Sequence, residues 1–426
     1  MDAKRERYTP NDVGPSPLEW KAPRLSEVST LITNGFVGTA TPFYTDITGV
    51  PYLYGTNVRA NKLETNEIRY VTREFHTAQS KTALKAGDLL TVQSGHIGET
   101  AVVTDQFHGA NCHALIVTRL KQEKADPHYL CFYVNSEIGR ARMKGLEVGS
   151  TILHINTKDL KKFRVLLPSL PEQKKIAQIL STWDKAISVT EKLLTNSQRQ
   201  KKALMQQLLT GKKRLLDERG VRFSGEWKIT KLIQMGKVVS GGTPDTNMAM
   251  YWEGDILWLT PTDVTALTGR FVSNTSRKIT PAGLLNSSAV LLPKGSLMVC
   301  TRATIGALAI STSEICTNQG FKNIIPNEGF NIEFIYYLLQ MNTNEMIKKS
   351  SGSTFLELSK KDFETLSFSC PFIKEQQKIA AVLSAADTEI STLEKKLACL
   401  RDEKKALMQQ LLTGKRRVKV DEAVAE

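Results

Sequence analysis

Apolar residues recur at alternating spacings of four and three in two long stretches, from Ile176 to Leu208 and from Ile379 to Leu411. A 3.5-residue repeat kept over more than four heptads is typical of a coiled-coil seam, whereas a helix lying on its own domain drifts to a period of 3.6. Each stretch predicts a helix of about 39 residues, or about 58 Å at ~1.5 Å per residue. The predicted seam residues are Ile176, Leu180, Trp183, Ile187, Leu194, Leu204 and Leu208 in the first helix and Ile379, Leu383, Ile390, Leu397, Leu407 and Leu411 in the second.

The two helices belong to an internal repeat. The segment KKALMQQLLTGK occurs at 201–212 and again at 404–415, and the same offset of 203 residues carries Glu172 onto Glu375. Solenoid repeats have periods of about 20–50 residues, so this offset indicates two similar domains, each followed by a similar helix. Gly211 and Gly414 are predicted C-terminal caps of the helices. Lys201 is an equivalent of Lys404 in the seam, where a polar residue can fix the register.

Short strand-like runs broken by Gly, Pro, Asn and Thr precede each helix and predict a mixed domain with a curved sheet. We call these segments the first and second variable domains, since they match only loosely. The predicted fold class is α+β, with two mixed α/β domains and two long helices that pair as a coiled coil in a pseudo-twofold repeat. The predicted parts are an N-terminal tail 1–19, the first variable domain 20–168, a central helical region 169–216, a linker 217–226, the second variable domain 227–371, a distal helical region 372–417 and a C-terminal tail 418–426.

Loops of the variable domains carry side chains that suit DNA bases or phosphates. Arginine pairs with guanine, and Asn or Gln with adenine, through paired hydrogen bonds in the major groove. Each residue also has a structural interpretation, because Asn and Thr cap turns and Gly-Gly-Thr-Pro forms one. The candidates are Thr56, Asn57, Arg59, Gln93, Ser94, His96 and Asn111 in the first variable domain, and Ser240, Gly241, Gly242, Thr243, Thr260, Thr262, Asp263, Arg302, Thr304, Asn318 and Gln319 in the second.

Composition favours a polyanionic partner. The chain has 57 Lys and Arg against 43 Asp and Glu, a net charge of +14, which points to nucleic acid before a membrane surface. The sequence has no apolar run of about 18 residues that could span a bilayer and no apolar stretch of a secretory signal, so we expect a cytoplasmic protein without membrane partners. Six cysteines without a CxxC pair predict reduced thiols.

Sequence motifs of catalysis are missing. The chain has no P-loop, no HExxH and no GxSxG. His108, Cys112 and His113 cluster in sequence, but no second pair of metal ligands accompanies them. We therefore predict no catalytic residue, no metal site and no cofactor bound by this chain.

Four segments carry a family resemblance: SGGTP at 240–244, LPSLPEQKKIAQIL at 167–180, PFIKEQQKIAAVL at 371–383 and the doubled KKALMQQLLTGK. From Trp20 to Arg417 the chain resembles the specificity subunit of Type I restriction–modification enzymes. The first variable domain departs from the pattern: Thr33-Asn34-Gly35 stands where the second has Ser240-Gly241-Gly242, and Asn111-Cys112-His113 replaces Asn318-Gln319-Gly320.

The resemblance implies a non-catalytic subunit that binds double-stranded DNA. Each variable domain would be a target recognition domain that reads one half of an interrupted asymmetric sequence. The two helices would pair antiparallel, set the spacing and, with the seam residues named above, dock two modification subunits, which carry S-adenosylmethionine and methylate adenine. Two restriction subunits, with ATP and Mg, would join for cleavage. Two alternatives remain open: a recognition subunit of a fused nuclease–methyltransferase or modification-only system, and a coiled-coil scaffold that does not bind DNA.

Overall fold

The computed structural model describes residues 8–9 (backbone only), 16–147, 153–352 and 356–420. These residues form two compact units: unit 1 draws on 1–191 and 396–426, and unit 2 on 192–395. Most of the predicted tails, 1–19 and 418–426, lies outside the described residues.

Unit 1 contains two four-stranded sheets with the strand orders β10-β9-β12-β3 and β11-β5-β8-β4, and two short two-stranded ones, β1-β2 and β6-β7. Its strands are β1 Tyr8–Thr9, β2 Ser16–Pro17, β3 Ser29–Asn34, β4 Tyr44–Thr45, β5 Val50–Leu53, β6 Val58–Arg59, β7 Lys62–Leu63, β8 Arg69–Val71, β9 Leu89–Val92, β10 Thr100–Val102, β11 Asn111–Cys112 and β12 Leu115–Leu120. Its helices are α1 Arg73–Ala78, α2 Pro127–Asn135, α3 Glu137–Lys144, α4 Thr157–Leu160 and the first part of α5, which spans Leu170–Leu208.

Unit 2 repeats this plan with a five-stranded sheet β14-β21-β18-β19-β16, a three-stranded sheet β17-β15-β20 and the pair β13-β22. Its strands are β13 Lys228–Lys231, β14 Gly236–Ser240, β15 Trp252–Leu259, β16 Phe271–Val272, β17 Arg277–Ile279, β18 Leu297–Cys300, β19 Leu308–Ser311, β20 Cys316–Thr317, β21 Phe321–Pro326 and β22 Ser367–Cys370. Its helices are the last part of α5, α6 Leu232–Met235, α7 Pro261–Thr265, α8 Pro281–Leu285, α9 Ile332–Met341, α10 Thr343–Lys348, α11 Lys360–Glu364 and the first part of α12, which spans Ile373–Leu411.

Side chains along the central strands of each unit point alternately into two separate hydrophobic cores. In unit 1, Leu89 points into a core shared with the helices, whereas its neighbour Leu90 points into a core shared with the second sheet. Leu297 and Met298 divide in the same way in unit 2. This is the two-residue period of a strand that is buried on both faces. The sheet that contains β9 in unit 1 and the five-stranded sheet in unit 2 therefore each lie between helices and a second sheet.

Each long helix is anchored at its start in the core of a variable domain. Ile176 and Leu180 are fully buried in unit 1, in one cluster with Leu411 from the end of α12. Ile379 and Leu383 are buried in unit 2 with Leu208 from the end of α5. Burying one such side chain contributes about 1.5–3 kcal/mol. The other predicted seam residues, among them Trp183, Ile187, Leu194, Leu204, Ile390, Leu397 and Leu407, are buried or half-buried.

The helices run antiparallel within each unit. In unit 1, Asp184 of α5 contacts Lys404 of α12, and the later residue Glu191 contacts the earlier residue Arg401. In unit 2, Ser197 donates to Glu389. The prediction of an α+β fold with two mixed domains and two long pairing helices, each of 39 residues, is confirmed.

Both helices end in a left-handed glycine, as predicted. Gly211 has a φ of +70° and Gly414 a φ of +71°, and their amides donate to the carbonyl oxygens of Leu208 and Leu411, each at 3.3 Å, as in the inner bond of a Schellman motif. A Cβ on Gly414 would overlap the ring of Pro17, whereas one on Gly211 would make only ordinary contact with Trp227.

We expect Gly414→Ala to destabilise unit 1 by more than a matched substitution at Gly109, which has a φ of +81° and open space around its Cβ. Both changes force alanine into the left-handed region at about 1–2 kcal/mol, but only Gly414→Ala adds overpacking, at about 1–3 kcal/mol. Chemical unfolding of both variants measures the difference. Equal losses would contradict the close packing of Gly414.

Candidate nucleic-acid interface

Two clefts lie at the loop ends of the sheets, one in each unit. The first has a volume of about 710 Å³ and is lined by four segments, which contribute Tyr54 to Thr56, Glu67 to Arg69, Val92 with Ser94 to His96, and His113 with Ala114. The second has a volume of about 330 Å³ and is lined by Pro261, by Arg302 with Ala303, and by Asn318 to Gly320.

Backbone hydrogen bonds show that the two clefts occupy the same place in the repeat. The His113 amide donates to the Leu53 carbonyl oxygen at 2.8 Å, and the Asn318 amide donates to the Leu259 carbonyl oxygen at 3.2 Å. His113 is therefore the equivalent of Asn318. The predicted correspondence of Asn111 with Asn318 is wrong by two positions, because Asn111 lies opposite Tyr52 and its equivalent is Cys316, which lies opposite Trp258.

The correspondence predicted for the SGGTP segment is also shifted. The Gly35 amide donates to the Leu115 carbonyl oxygen, and the Gly241 amide to that of Phe321. Gly35 is thus the equivalent of Gly241, one position from the predicted alignment.

The loops between β9 and β10 and between β18 and β19 match in length. The Gly98 amide donates to the Val92 carbonyl oxygen at 2.9 Å, and the Gly306 amide to that of Cys300 at 3.0 Å. Ser94 is therefore the equivalent of Arg302. The same loop thus presents a small hydroxyl in one cleft and a cation in the other.

Three candidates of the first variable domain reach its cleft, namely Thr56, Ser94 and His96. Asn57 and Asn111 do not, since both are fully buried. Asn57 accepts a hydrogen bond from the Tyr54 amide and donates to backbone carbonyl groups, and the Asn111 amide nitrogen donates to Gln79 at 3.2 Å. Both amides hold loops inside the domain, and this burial gives no support to the prediction that they contact bases.

Arg59 and Gln93 lie beside this cleft without lining it. The Arg59 guanidinium donates to the carbonyl oxygen of Val58 at 2.9 Å. Gln93 is half-buried, and its buried side-chain oxygen has no partner within the described part of the chain. Contact of either residue with DNA stays a prediction.

In the second variable domain, Arg302, Asn318 and Gln319 come together in the cleft. Thr262 and Thr304 are exposed on the same loops. Thr243 donates to the Gln319 side-chain oxygen, and Ser240 is half-buried at the end of β14. These side chains could present donors and acceptors to one ligand.

Thr260 and Asp263 form a capping box for α7. The Asp263 carboxylate accepts from the Thr260 amide at 2.8 Å and hydroxyl at 2.7 Å. Burial acts to raise the pKa of Asp263, but hydrogen bonds from Thr260 and Ser276 outweigh it, and the net pKa lies below the ordinary value. The pair therefore shapes the loop, and contact of either residue with DNA stays a prediction.

Gly241 and Gly242 are required by packing. A Cβ on Gly241 would overlap the carbonyl oxygen of Asn318, and one on Gly242 would overlap the backbone at Ser288. The Gly242 carbonyl oxygen accepts from the Trp258 indole at 2.9 Å. The SGGTP segment thus supports the cleft residue Asn318, and the prediction of base contacts by these two glycines is not supported.

Sequence reasoning missed an aromatic group in the first cleft. The rings of Tyr54 and His113 stack at 4.9 Å, and the Arg69 guanidinium lies 5.2 Å from the Tyr54 centroid. Burial, followed by the charge of Arg69, lowers the pKa of His113, which favours a neutral ring. No local pattern marked Arg69, because its partner Tyr54 stands 15 positions away.

The two seam lysines each meet a carboxylate. Lys404 lies 2.5 Å from Asp184 in unit 1, and Lys201 lies 2.6 Å from Asp387 in unit 2. The offset of 203 residues relates both members of one pair to those of the other. The lysines thus fix one register of helix pairing in each unit.

A second ion pair repeats at the helix starts. Glu172 is bound through two oxygens by Arg417, at 2.7 and 2.9 Å, and Glu375 by Arg214, at 2.6 and 2.7 Å. The partner of each glutamate is thus an arginine beyond the end of the other long helix. The offset of 203 residues, which also carries Arg214 onto Arg417, was the signal that could have identified the pairs.

Within the described residues, no group of three or more His, Cys, Asp or Glu side chains could hold a metal ion. Cys112 is fully buried, and burial and then the charge of Asp88 raise its pKa to about 12. His113 instead shares a hydrogen bond with Tyr52 at 3.2 Å.

The described helices include none that is long and apolar enough to cross a membrane.

The chain is thus a protein with a repeated scaffold that carries one cleft in each unit, and the two clefts differ in their side chains. The family model described as the Type I restriction modification DNA specificity domain matches residues 17–196 and 224–400. The chain therefore belongs to the family of Type I restriction–modification specificity subunits.

Two relatives from Methanocaldococcus jannaschii carry the same description. The Type I restriction enzyme MjaIX specificity subunit is 40% identical over 172 residues, a match that covers only 40% of each protein. The putative MjaX specificity subunit is 26% identical over 435 residues and 98% of each protein. The first match is thus partial, and the second spans nearly the whole length.

Solved structures share the fold. The crystal structure of the Type-I restriction-modification S subunit from M. genitalium has a TM-score of 0.58 at 16% identity, covering 92% of this chain and 96% of that one. A chain from a study of assembly and conformational transition of the type I R-M system has a TM-score of 0.54 at 18% identity, covering 94% and 99%.

Proposed function

We propose that this chain is the DNA-reading subunit of a Type I restriction–modification complex. Each variable domain reads one half of an interrupted asymmetric target. The observation that carries the proposal is the pair of clefts, which occupy equivalent places but present different side chains. His113 stands where the second domain has Asn318, and Ser94 where it has Arg302. A common scaffold with different loop chemistry is what two different half-sites require.

The long helices set the spacing of the two half-sites and dock two modification subunits. The support is the repeated ion pairing, since Asp184–Lys404 and Asp387–Lys201 give each unit the same helix pairing. Two like surfaces suit two copies of one partner. The modification subunits supply S-adenosylmethionine for adenine methylation, and restriction subunits supply ATP and Mg chemistry where the system also cleaves DNA.

Binding of the purified chain to a mixed-sequence duplex should weaken steeply with salt. The net charge is +14, and each neutralised phosphate contributes about −0.9 to the slope of log K against log salt. Filter binding between 50 and 200 mM salt, as a rough working range, measures the slope. A chain that binds no duplex at any salt concentration would support the protein-binding scaffold instead.

We expect no methyl transfer by the purified chain and methylation of adenine once a modification subunit is added. The expectation follows from the absence of a cofactor-binding motif in the sequence. Transfer of labelled methyl groups to duplex, with and without the partner, measures it. Sustained transfer by the chain alone, co-purifying with it through several columns, would refute the non-catalytic assignment. A partner that both methylates and cleaves as one polypeptide would identify the fused system.

A further inference from the structure

Arg69 and Arg277 occupy equivalent positions in the two variable domains. Arg69 on β8 lies opposite Tyr52 of β5, and Arg277 on β17 lies opposite Trp258 of β15. Tyr52 and Trp258 are themselves equivalents, since each directly precedes the leucine whose carbonyl oxygen anchors the cleft loop. The repeat therefore keeps one arginine at this place.

Each of these guanidinium groups rests on an equivalent aromatic ring. The Cζ atom of Arg69 lies 5.1 Å from the Tyr44 centroid, and that of Arg277 lies 3.7 Å from the Trp252 centroid. Tyr44 and Trp252 hold matching positions opposite the third residue of β8 and of β17. The contacts differ, since Arg69 also donates to the Tyr44 hydroxyl at 2.9 Å, but an aromatic ring beside the guanidinium is kept.

Both arginines carry an unneutralised charge. They are exposed, and across the described ranges neither lies within 4.0 Å of a carboxylate, in contrast to Arg119, which binds Asp88 at 2.7 Å. These ring contacts restrict the guanidinium plane, and the N–H groups that they do not use remain at its edge. A planar fork held in this way suits the paired oxygens of a phosphate.

The positions around these arginines diverge, as Ser94 against Arg302 shows. Two half-sites of different sequence share the sugar–phosphate backbone and differ in their bases. We propose that Arg69 and Arg277 are phosphate anchors that position each variable domain on the duplex, while the diverged cleft residues read the bases. The proposal rests on the proposed function, since it needs the domains to bind DNA.

The test uses the full chain with Arg69→Gln, Arg277→Gln and both changes together. Each single change should make the salt slope shallower by about 0.9, and the double change by about 1.8, on mixed-sequence duplex. The base preference found by selection from a randomised library should stay that of the parent chain. Matched controls are Lys85→Gln and Lys294→Gln, which remove exposed charges at the opposite ends of β9 and β18 from the cleft loops and should leave the slope unchanged.

Arg69→Lys and Arg277→Lys separate charge from packing, because lysine keeps the charge without the planar fork. The Lys variants should therefore have a salt slope close to that of the parent chain, even where thermal unfolding shows that the Gln variants are less stable. Relaxed preference at one base pair with an unchanged slope would make the arginines base readers and overturn the proposal. If the Gln variants change neither the salt slope nor the base preference, the two arginines contribute to packing only. Absence of salt-dependent binding by the parent chain would instead refute the proposed function.

Discussion

Arg214→Met should destabilise unit 2 by about 3–5 kcal/mol, because it leaves a buried carboxylate without its counterion. The Glu375 side chain is only 3% exposed and that of Arg214 is 20% exposed, so solvent cannot replace the lost partner. Trp227 also donates to this carboxylate, at 3.3 Å, but one neutral donor does not neutralise the charge. The end of α5 and the start of α12 meet at this pair, so both segments should lose protection against hydrogen exchange.

Hydrogen exchange of peptides covering 205–230 and 370–385 measures the loss locally, without assuming that the two units unfold together. Arg222→Met is the matched control, since Arg222 is exposed in the same segment and its removal should change stability by less than about 0.5 kcal/mol. The double variant Arg214→Met with Glu375→Met should recover most of the loss. A double variant as unstable as the single one would show that packing by the arginine stem, not charge pairing, stabilises the junction.

The equivalent change in unit 1, Arg417→Met, should cost less. Glu172 is as buried as Glu375, at 3% exposure, but Arg417 is 45% exposed, so water already screens the pair. Arg417 also contacts the exposed residue Glu19. The smaller loss of stability in unit 1 would follow from the greater exposure of Arg417, since both pairs join an arginine to a glutamate.

The helices could be predicted because their signal is local and repeated. Apolar residues such as Ile176 and Leu180 follow a 3.5-residue repeat over about nine turns, which is typical of a coiled-coil helix. Gly211 and Gly414 mark the helix ends, because a left-handed backbone favours glycine there. The two variable domains could be assigned their class, since short strands alternate with turn residues. The sequence did not show which positions of one variable domain correspond to those of the other.

The predicted site is only partly supported by the structure, for a physical reason. The residue types that read bases are the same ones that cap turns, and Asn57 and Asp263 both accept from the backbone amide three positions earlier. Sequence alone does not separate these roles, because burial depends on distant strands. Arg69 was missed for the same reason, since the ring beneath it comes from Tyr44, a residue 25 positions away that only the sheet brings close.

Arg302→Ala should relax the target at one base pair in the half-site read by the second variable domain. Arg302 is exposed in the cleft beside Asn318 and Gln319, and its only described carboxylate neighbour, Glu357, lies 4.0 Å away. The guanidinium is thus available for a paired contact with guanine, which is worth about 1–3 kcal/mol of discrimination against the wrong base. That range corresponds to a loss of about 5- to 150-fold in preference at the position.

Selection of bound duplexes from a library randomised in both halves measures the effect. The matched variant is Ser94→Ala, which alters the equivalent loop position in the first variable domain and should change only the other half-site. The affinity for mixed-sequence duplex should fall by no more than the removal of one positive charge would cause, because a base contact contributes little to non-specific affinity. Relaxation of both half-sites by Arg302→Ala would show that the clefts do not read separately. A uniform loss of affinity with every base preference kept would place Arg302 on the backbone and leave base reading to Asn318 and Gln319.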